Sequence, residues 1–349
     1  MVSSCGWGLH SSKRGLPAVE RLAYPTGEWR PQLFSYRTSI GLDVHARSIV
    51  AAGIDERTGE VMRFRCGYDP VEIIGWVKGL PGPSQVVYEA GPTGFGLARL
   101  FAEAGIVCQV AAPSKLQRPS GDRVKTDARD AMHLARLLRL GEIVVVRVPT
   151  IAEEAVRDLV RVREDCRGDL MSARHRLSKL LLRYGHVYDN GRAWTATHDA
   201  WLRGITLPEK VAHVAFESAY EAVVQVQKRR ERLDEQITQM ARGSVFTPVV
   251  DRLACLRGIS DLTGLGLAVE IGDWNRFTGA SIAAFLGLTP SEHSSGQSRS
   301  LGSITKTGNS HARRLLIEAA WHHRRDYDPA GSIVLRQRWE RAPQQARLR

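Results

Sequence analysis

Short apolar runs at residues 38–43, 48–54 and 60–66 are separated by turn-like segments at 45–47 and 55–59, a pattern that predicts three consecutive antiparallel strands. Residues 71–80 then carry helical spacing, 85–89 read as a buried strand, 94–104 as a helix and 107–111 as another strand. The expected order is therefore βββαβαβ. A further helix is predicted over 126–140, where Ala131, Leu134, Ala135, Leu137 and Leu138 form the apolar face and Thr126 stands where a cap is needed. Gly141 and the run 142–149 close this first unit.

From 151 to about 185 the pattern is helical and laced with charge, with Leu159, Val162, Leu170, Leu177 and Leu180 to Leu182 on the apolar side. Residues 208–242 repeat that character, and a loop-like stretch at 189–197 lies between. Together they predict a long antiparallel helical hairpin or coiled coil, a unit that spaces domains or dimerises them. Residues 253–273 hold L-R-G-I-S-D-L-T-G and then an apolar run, resembling a helix-hairpin-helix whose glycine turn offers backbone N–H groups to phosphate, although Ser260 stands where that motif often has a second glycine. The expected division is a loose extension at 1–35, an α/β domain at 36–149, a helical connector at 150–248 and a mainly α C-terminal domain at 249–349.

Charge changes the picture. The 49 Lys and Arg outnumber 37 Asp and Glu across 349 residues, for a net charge of +12, which favours a polyanionic partner. Residues 296–349 hold eleven Lys and Arg against four Asp and Glu, so the excess is concentrated there. Runs such as 144–148 and 282–288 fall far short of the ~20 apolar residues of a membrane helix, and residues 1–30 lack the apolar core of an export signal. Five widely spaced cysteines without a C-x-x-C pair suggest neither a disulfide framework nor a zinc site. A protein of a reducing cytoplasm with no membrane partner is expected.

Four carboxylates form the main chemical candidate. Asp43 ends the first strand in I-G-L-D-V and Glu89 ends the fourth in V-V-Y-E-A, so adjacent parallel strands would bring them together. Asp127 and Asp130, three apart in K-T-D-A-R-D, share one face of a helix's first turn. Singly, each has an ordinary reading as a turn former, a solvated strand end or a charge complementing the helix dipole. In this order on this frame they suit two divalent ions about 4 Å apart, which activate the attacking oxygen and stabilise the leaving one in phosphoryl transfer. His45, His133, His311, His322 and His323 show no clear metal-ligand spacing, and most are expected to be structural or surface residues.

These segments also carry a family resemblance. G-L-D-V-H, Y-E-A-G-P-T-G and K-T-D-A-R-D-A-x-x-L-A resemble the RNase H-like (RuvC-like) domain of the "one-ten" family of bacterial insertion-sequence transposases. F-L-G-L-T-P, S-S-G and S-I-T-K-T-G-N-S-H-A-R-R-L-L are similar to that family's C-terminal transposase domain. The resemblance spans roughly residues 39–321. It implies Asp43, Glu89, Asp127 and Asp130 as Mg²⁺ ligands, and a serine nucleophile whose motif position is matched by Ser295. It further implies strand joining through a covalent phosphoserine, a structured guide RNA that pairs with donor and target DNA, and a homo-oligomer, dimer or tetramer.

Ser291, Ser294, Ser295, Ser298, Ser300 and Ser303 crowd one loop, which on composition alone reads as linker. A serine attacking phosphate needs cations around the transition state, and Arg299, Lys306, Arg313 and Arg314 flank this loop. The same four are the expected phosphate contacts, Gly308 allowing close backbone approach. Together the motifs and the charge point to a DNA transposase acting on element ends and target. A RuvC-like metal-dependent nuclease would need the carboxylates but not Ser295, and an inactive nucleic-acid-binding remnant would need only the basic surface.

Overall fold

The computed structural model describes residues 36–116, 126–296, 298–324 and 333–341. The extension expected at 1–35 lies outside the described residues.

Strands β1 (Thr38–Val44), β2 (Ser48–Asp55), β3 (Val61–Gly67), β4 (Ser84–Glu89) and β5 (Val107–Ala111) form one sheet in the order β3-β2-β1-β4-β5. The three-strand meander pairs antiparallel, and β4 and β5 join parallel to β1. A parallel pair needs a crossover, supplied here by α1 (Pro70–Gly79) and α2 (Gly96–Glu103). These helices bury Ile73, Val77, Leu97 and Phe101 against Ile40, Leu42, Val86 and Tyr88. The opposite face is covered by α3 (Asp127–Leu140), whose Leu134 and Leu138 pack on Val87 and whose Ala131 packs on Val50 and Ala52. Thr126 caps this helix by accepting from the Arg129 N–H, and Gly141 ends it at φ 71°. The result is the βββαβαβ sheet expected from the strand pattern, in the RNase H-like arrangement that the family resemblance implies.

Helices α4 (Ile151–Arg183) and α6 (Lys210–Arg242) form the long hairpin, with α5 (Ala196–Arg203) between them in sequence. A capping box of Thr150 and Glu153 starts α4. The two long helices run antiparallel, since the Cys166 thiol meets the Val226 carbonyl and Arg163 meets Asp234 farther toward the base. Leu170, Leu177 and Leu181 pack with Phe216, Val223 and Leu202 toward the tip, and Val156 and Val160 pack with Ile237 and Ala241 at the base.

That base rests on the C-terminal part, made of α7 (Thr247–Ala254), α8 (Asp261–Ile271), α9 (Gly279–Phe285), the β6 (Pro290–Glu292)–β7 (Leu301–Ile304) hairpin, α10 (Ser310–Ala320) and α11 (Ile333–Arg341). Helix α8 is its centre: every residue from Gly264 to Ile271 is buried. The glycine turn between α7 and α8 is a packing junction. A Cβ on Gly258 would lie 2.4 Å from the Ala319 carbonyl oxygen, and the Ile259 carbonyl accepts from Arg338. The serine-rich segment, read from composition as a loop, includes the two short strands β6 and β7.

Candidate active site

The register of β1 and β4 sets the first half of the site. Leu42 pairs with Tyr88, so Asp43 and Glu89 follow at one level of the sheet. Leu42 and Tyr88 belong to the core under α1 and α2, and strand alternation turns the next residues toward α3. Gly41 sets the second half. A Cβ there would stand 2.5 Å from the Ala135 nitrogen and 2.8 Å from the Leu134 Cβ, so only a bare Cα lets α3 lie this close to β1. The first turn of α3, with Asp127 and Asp130, is thereby held over the strand end.

At that end the His45 Nε2 is 3.3 Å from Asp43 Oδ2 and 3.7 Å from Asp127 Oδ1, and one ligand atom from each of the three lies within 4.8 Å of the others. Burial raises the Asp43 carboxyl above its usual range, and the negative charges of Asp127 and Asp130 push the same way, against the lowering effect of His45. Asp130 thus belongs to the electrostatic cluster. Glu89 is half-buried at the level of Asp43, but it is not part of the tight three-residue group. His45 is exposed, as expected of a surface histidine, and it is also the cluster's third member. Its signal was present in D-V-H, because residues two apart on an extended chain project to the same side.

Two carboxylates and an imidazole converging beside a third acid form a donor set that a divalent cation fits: hard oxygen ligands predominate, and Asp43 bears mutual repulsion that a cation would relieve. Such an ion would supply charge stabilisation at the phosphorus and at the attacking oxygen.

The serine motif lies on the hairpin. Ser295 and Ser298 exchange backbone hydrogen bonds of 3.1 Å around Gly296, whose φ of 58° is one that glycine adopts freely. Ser294 donates to Glu292 Oε1 at 2.6 Å, and Arg299 lies 3.4 Å from the same carboxylate. Among the described residues the Ser295 hydroxyl has no hydrogen-bond partner, which separates it from Ser294.

The four expected phosphate contacts divide. Arg299 and Lys306 are exposed beside the hairpin, Lys306 at φ 55° with its N–H on the Gly287 carbonyl. Arg313 faces inward and donates at 2.8 Å to both the Leu286 and Thr307 carbonyls, locking the end of α9 to the turn that precedes α10. Arg314 is held by Glu164 of α4 and by Glu318. Both guanidinium groups are engaged within the protein, Arg313 on backbone carbonyls at the end of α9 and in the turn before α10, and Arg314 on Glu164 of α4, while α10 itself packs on α8.

One buried acid escaped the sequence analysis. Glu270, in the centre of α8, accepts from Arg161 at 2.9 and 3.0 Å and from Asn309 Nδ2 at 2.6 Å, with His311 Nδ1 at 3.1 Å. Burial opposes its charge, but the hydrogen bonds from His311, Arg161 and Asn309 prevail and hold the carboxyl at about 2. Its sequence signal was a lone acid in the apolar stretch G-L-G-L-A-V-E-I, where a charge needs a partner.

Comparison with known proteins agrees with this architecture. Residues 40–186 match a DEDD family model described as transposase, and residues 250–332 match one described as the transposase IS116/IS110/IS902 family. The chain is 39% identical over 238 residues to a putative transposase of Sinorhizobium fredii, a stretch covering 68% of this chain and 58% of that protein. It is 30% identical over 304 residues to the transposase for insertion sequence element IS1533 of Leptospira borgpetersenii, covering 85% and 87% of the two chains. A probable family 20 transposase of Pseudomonas aeruginosa is 28% identical over 291 residues, or 80% of this chain and 82% of that one. With a carboxylate cluster on an RNase H-like sheet, a helical C-terminal part and relatives of this kind, the chain belongs to the IS110/IS116/IS902 family of transposases.

Proposed function

We propose that this protein cleaves and rejoins DNA strands at element ends and target, using Mg²⁺ held by Asp43, Asp127, Asp130 and Glu89 and a covalent step at Ser295. The observation that carries the reading is the convergence of Asp43, His45 and Asp127 at the strand end, with Asp130 adding to the same field. His45 joins the first pair as a ligand or as the group that orients them. The Ser295 Oγ forms a bond to phosphorus as the scissile P–O bond breaks, and the leaving oxygen takes up a proton. A hydroxyl is a weak nucleophile at its free pKa, so the serine must meet the carboxylate site for the step to proceed. Arg299 and Lys306, exposed beside the hairpin, are the contacts assigned to the transferring phosphate.

The same reading divides the chain into a catalytic domain at 36–149, a connector at 150–248 and a transposase domain at 249–349. It places a structured RNA and a second copy of the chain among the partners, and the protein on nucleoid DNA in the cytoplasm. No helix among the described residues is long and apolar enough to cross a membrane.

Denaturing gels of protein incubated with element-end DNA and Mg²⁺ test the chemistry. A covalent adduct is expected for the wild type and for Ser294→Ala, and none for Ser295→Ala. Asp43→Ala and Asp130→Ala should abolish Mg²⁺-dependent cleavage. Full cleavage by Ser295→Ala without any adduct would leave a metal-dependent nuclease, and DNA binding without cleavage by the wild type would leave a binding protein.

A further inference from the structure

Charge is segregated along α4. Its basal half carries Glu153, Glu154, Asp158, Glu164, Asp165 and Asp169, whereas residues 170–188 contain no acid at all and hold Arg174, Arg176, Lys179 and Arg183. The basal arginines work inside the protein: Arg157 donates to the Val269 carbonyl, Arg161 to Glu270, Arg163 to Asp234 and Arg167 to Glu164. Arg174 is likewise engaged, over the Trp194 ring and with Gln227. Arg176, Lys179 and Arg183 differ. All three are exposed, and among the described residues none has an ion pair or a side-chain hydrogen bond. On the facing helix Glu217 lies 3.6 Å from His213 and Glu221 accepts from Gln225, so these acids are occupied on α6 itself.

Spacings of three and four residues put Arg176, Lys179 and Arg183 on one face of α4, over a rise of about 10 Å at ~1.5 Å per residue. One DNA strand presents a phosphate about every 3.4 Å of axis, so a backbone laid along this face meets several charges within that length. Arg183 in the last turn also complements the helix dipole, but Arg176 and Lys179 lie beyond that turn's reach.

We infer that the distal face of α4, through Arg176, Lys179 and Arg183, is a docking surface for the phosphate backbone of duplex DNA, well removed in sequence from the carboxylate and serine motifs. The inference rests on the reading of the chain as a nucleic-acid enzyme and adds a place where DNA is held without chemistry. Bare exposed cations on a rigid helix contribute sequence-independent, salt-sensitive affinity.

The test uses the full chain with Arg176, Lys179 and Arg183 all replaced by Gln, and random-sequence duplex DNA as the probe. Affinity is read by fluorescence anisotropy across a salt series, with circular dichroism to check folding. The slope of log K against log salt should fall by about 0.9 per lost phosphate contact, or up to about 2.7 for all three. A companion variant, Arg203→Gln, whose guanidinium is already paired with Asp199 and donates to Tyr220, should keep the wild-type slope. A triple variant that folds and binds with an unchanged slope overturns the docking surface while leaving the enzyme reading intact. A wild type without salt-dependent DNA binding overturns both, and a change seen only with a structured RNA probe overturns the assignment to DNA.

Discussion

Gly41 and Ala131 meet backbone to backbone: a methyl group on the glycine would stand 2.1 Å from the Ala131 carbonyl oxygen. No side-chain motion relieves such a clash, because the obstacle is the helix itself. The geometry of the carboxylate cluster therefore depends on a residue that carries no chemistry.

Gly41→Ala is expected to cost at least the roughly 1–3 kcal/mol of ordinary overpacking, because α3 must move off the sheet. Moving α3 carries Asp127 and Asp130 away from Asp43, so Mn²⁺ affinity should fall together with stability. Denaturant unfolding and calorimetric Mn²⁺ titration check the pair. A variant of native stability and native metal affinity would show that the close approach does not position the site.

Glu270 gives a pH signature. Its carboxyl is held at about 2 in the folded protein, below the usual 4.5, so folding favours its charged form. That contribution is fully present above pH 4.5 and is lost as pH falls from there toward 2, a displacement worth on the order of 3 kcal/mol. Glu270→Gln should lower stability at pH 7 by that order, and the deficit should narrow in acid. Unfolding curves of both proteins at pH 7 and pH 3 decide it. A deficit that stays constant with pH would mean that shape, rather than charge, accounts for the loss.

Arg313→Ala removes the donor to two carbonyls, Leu286 and Thr307, at the base of the serine hairpin. Leaving those acceptors unsatisfied costs about 1–3 kcal/mol, and cleavage by trypsin at the exposed Arg299 should quicken as the hairpin loosens. The salt dependence of DNA binding should not change. An altered slope with unchanged proteolysis would return Arg313 to the set of phosphate contacts.

Local order was open to reading from the sequence. Short apolar runs predict the five strands, and Thr126 and Gly141 mark the two ends of α3 because capping uses only the nearest backbone. The carboxylate site was half legible. Asp43 and Glu89 stand at strand ends, and Asp127 and Asp130 share a helical turn, so each pair follows from the period of its own element. His45 was hidden only by the ordinary role of a loop histidine.

What depended on the tertiary structure was the fate of each long polar side chain. Arg313, Arg314 and Arg176 are alike in sequence, but α10 packs on α8 in a position where Arg313 reaches the Leu286 carbonyl and Arg314 reaches Glu164, while the distal face of α4 leaves Arg176 in solvent. Glu270 finds Arg161 at a separation of 109 residues and Asn309 at 39. Periodicity, caps and net charge follow from the order of residues alone, because they are local or additive quantities. Which charges are neutralised and which remain available to a partner is a property of packing, because ion pairs form between whatever groups the core brings within reach.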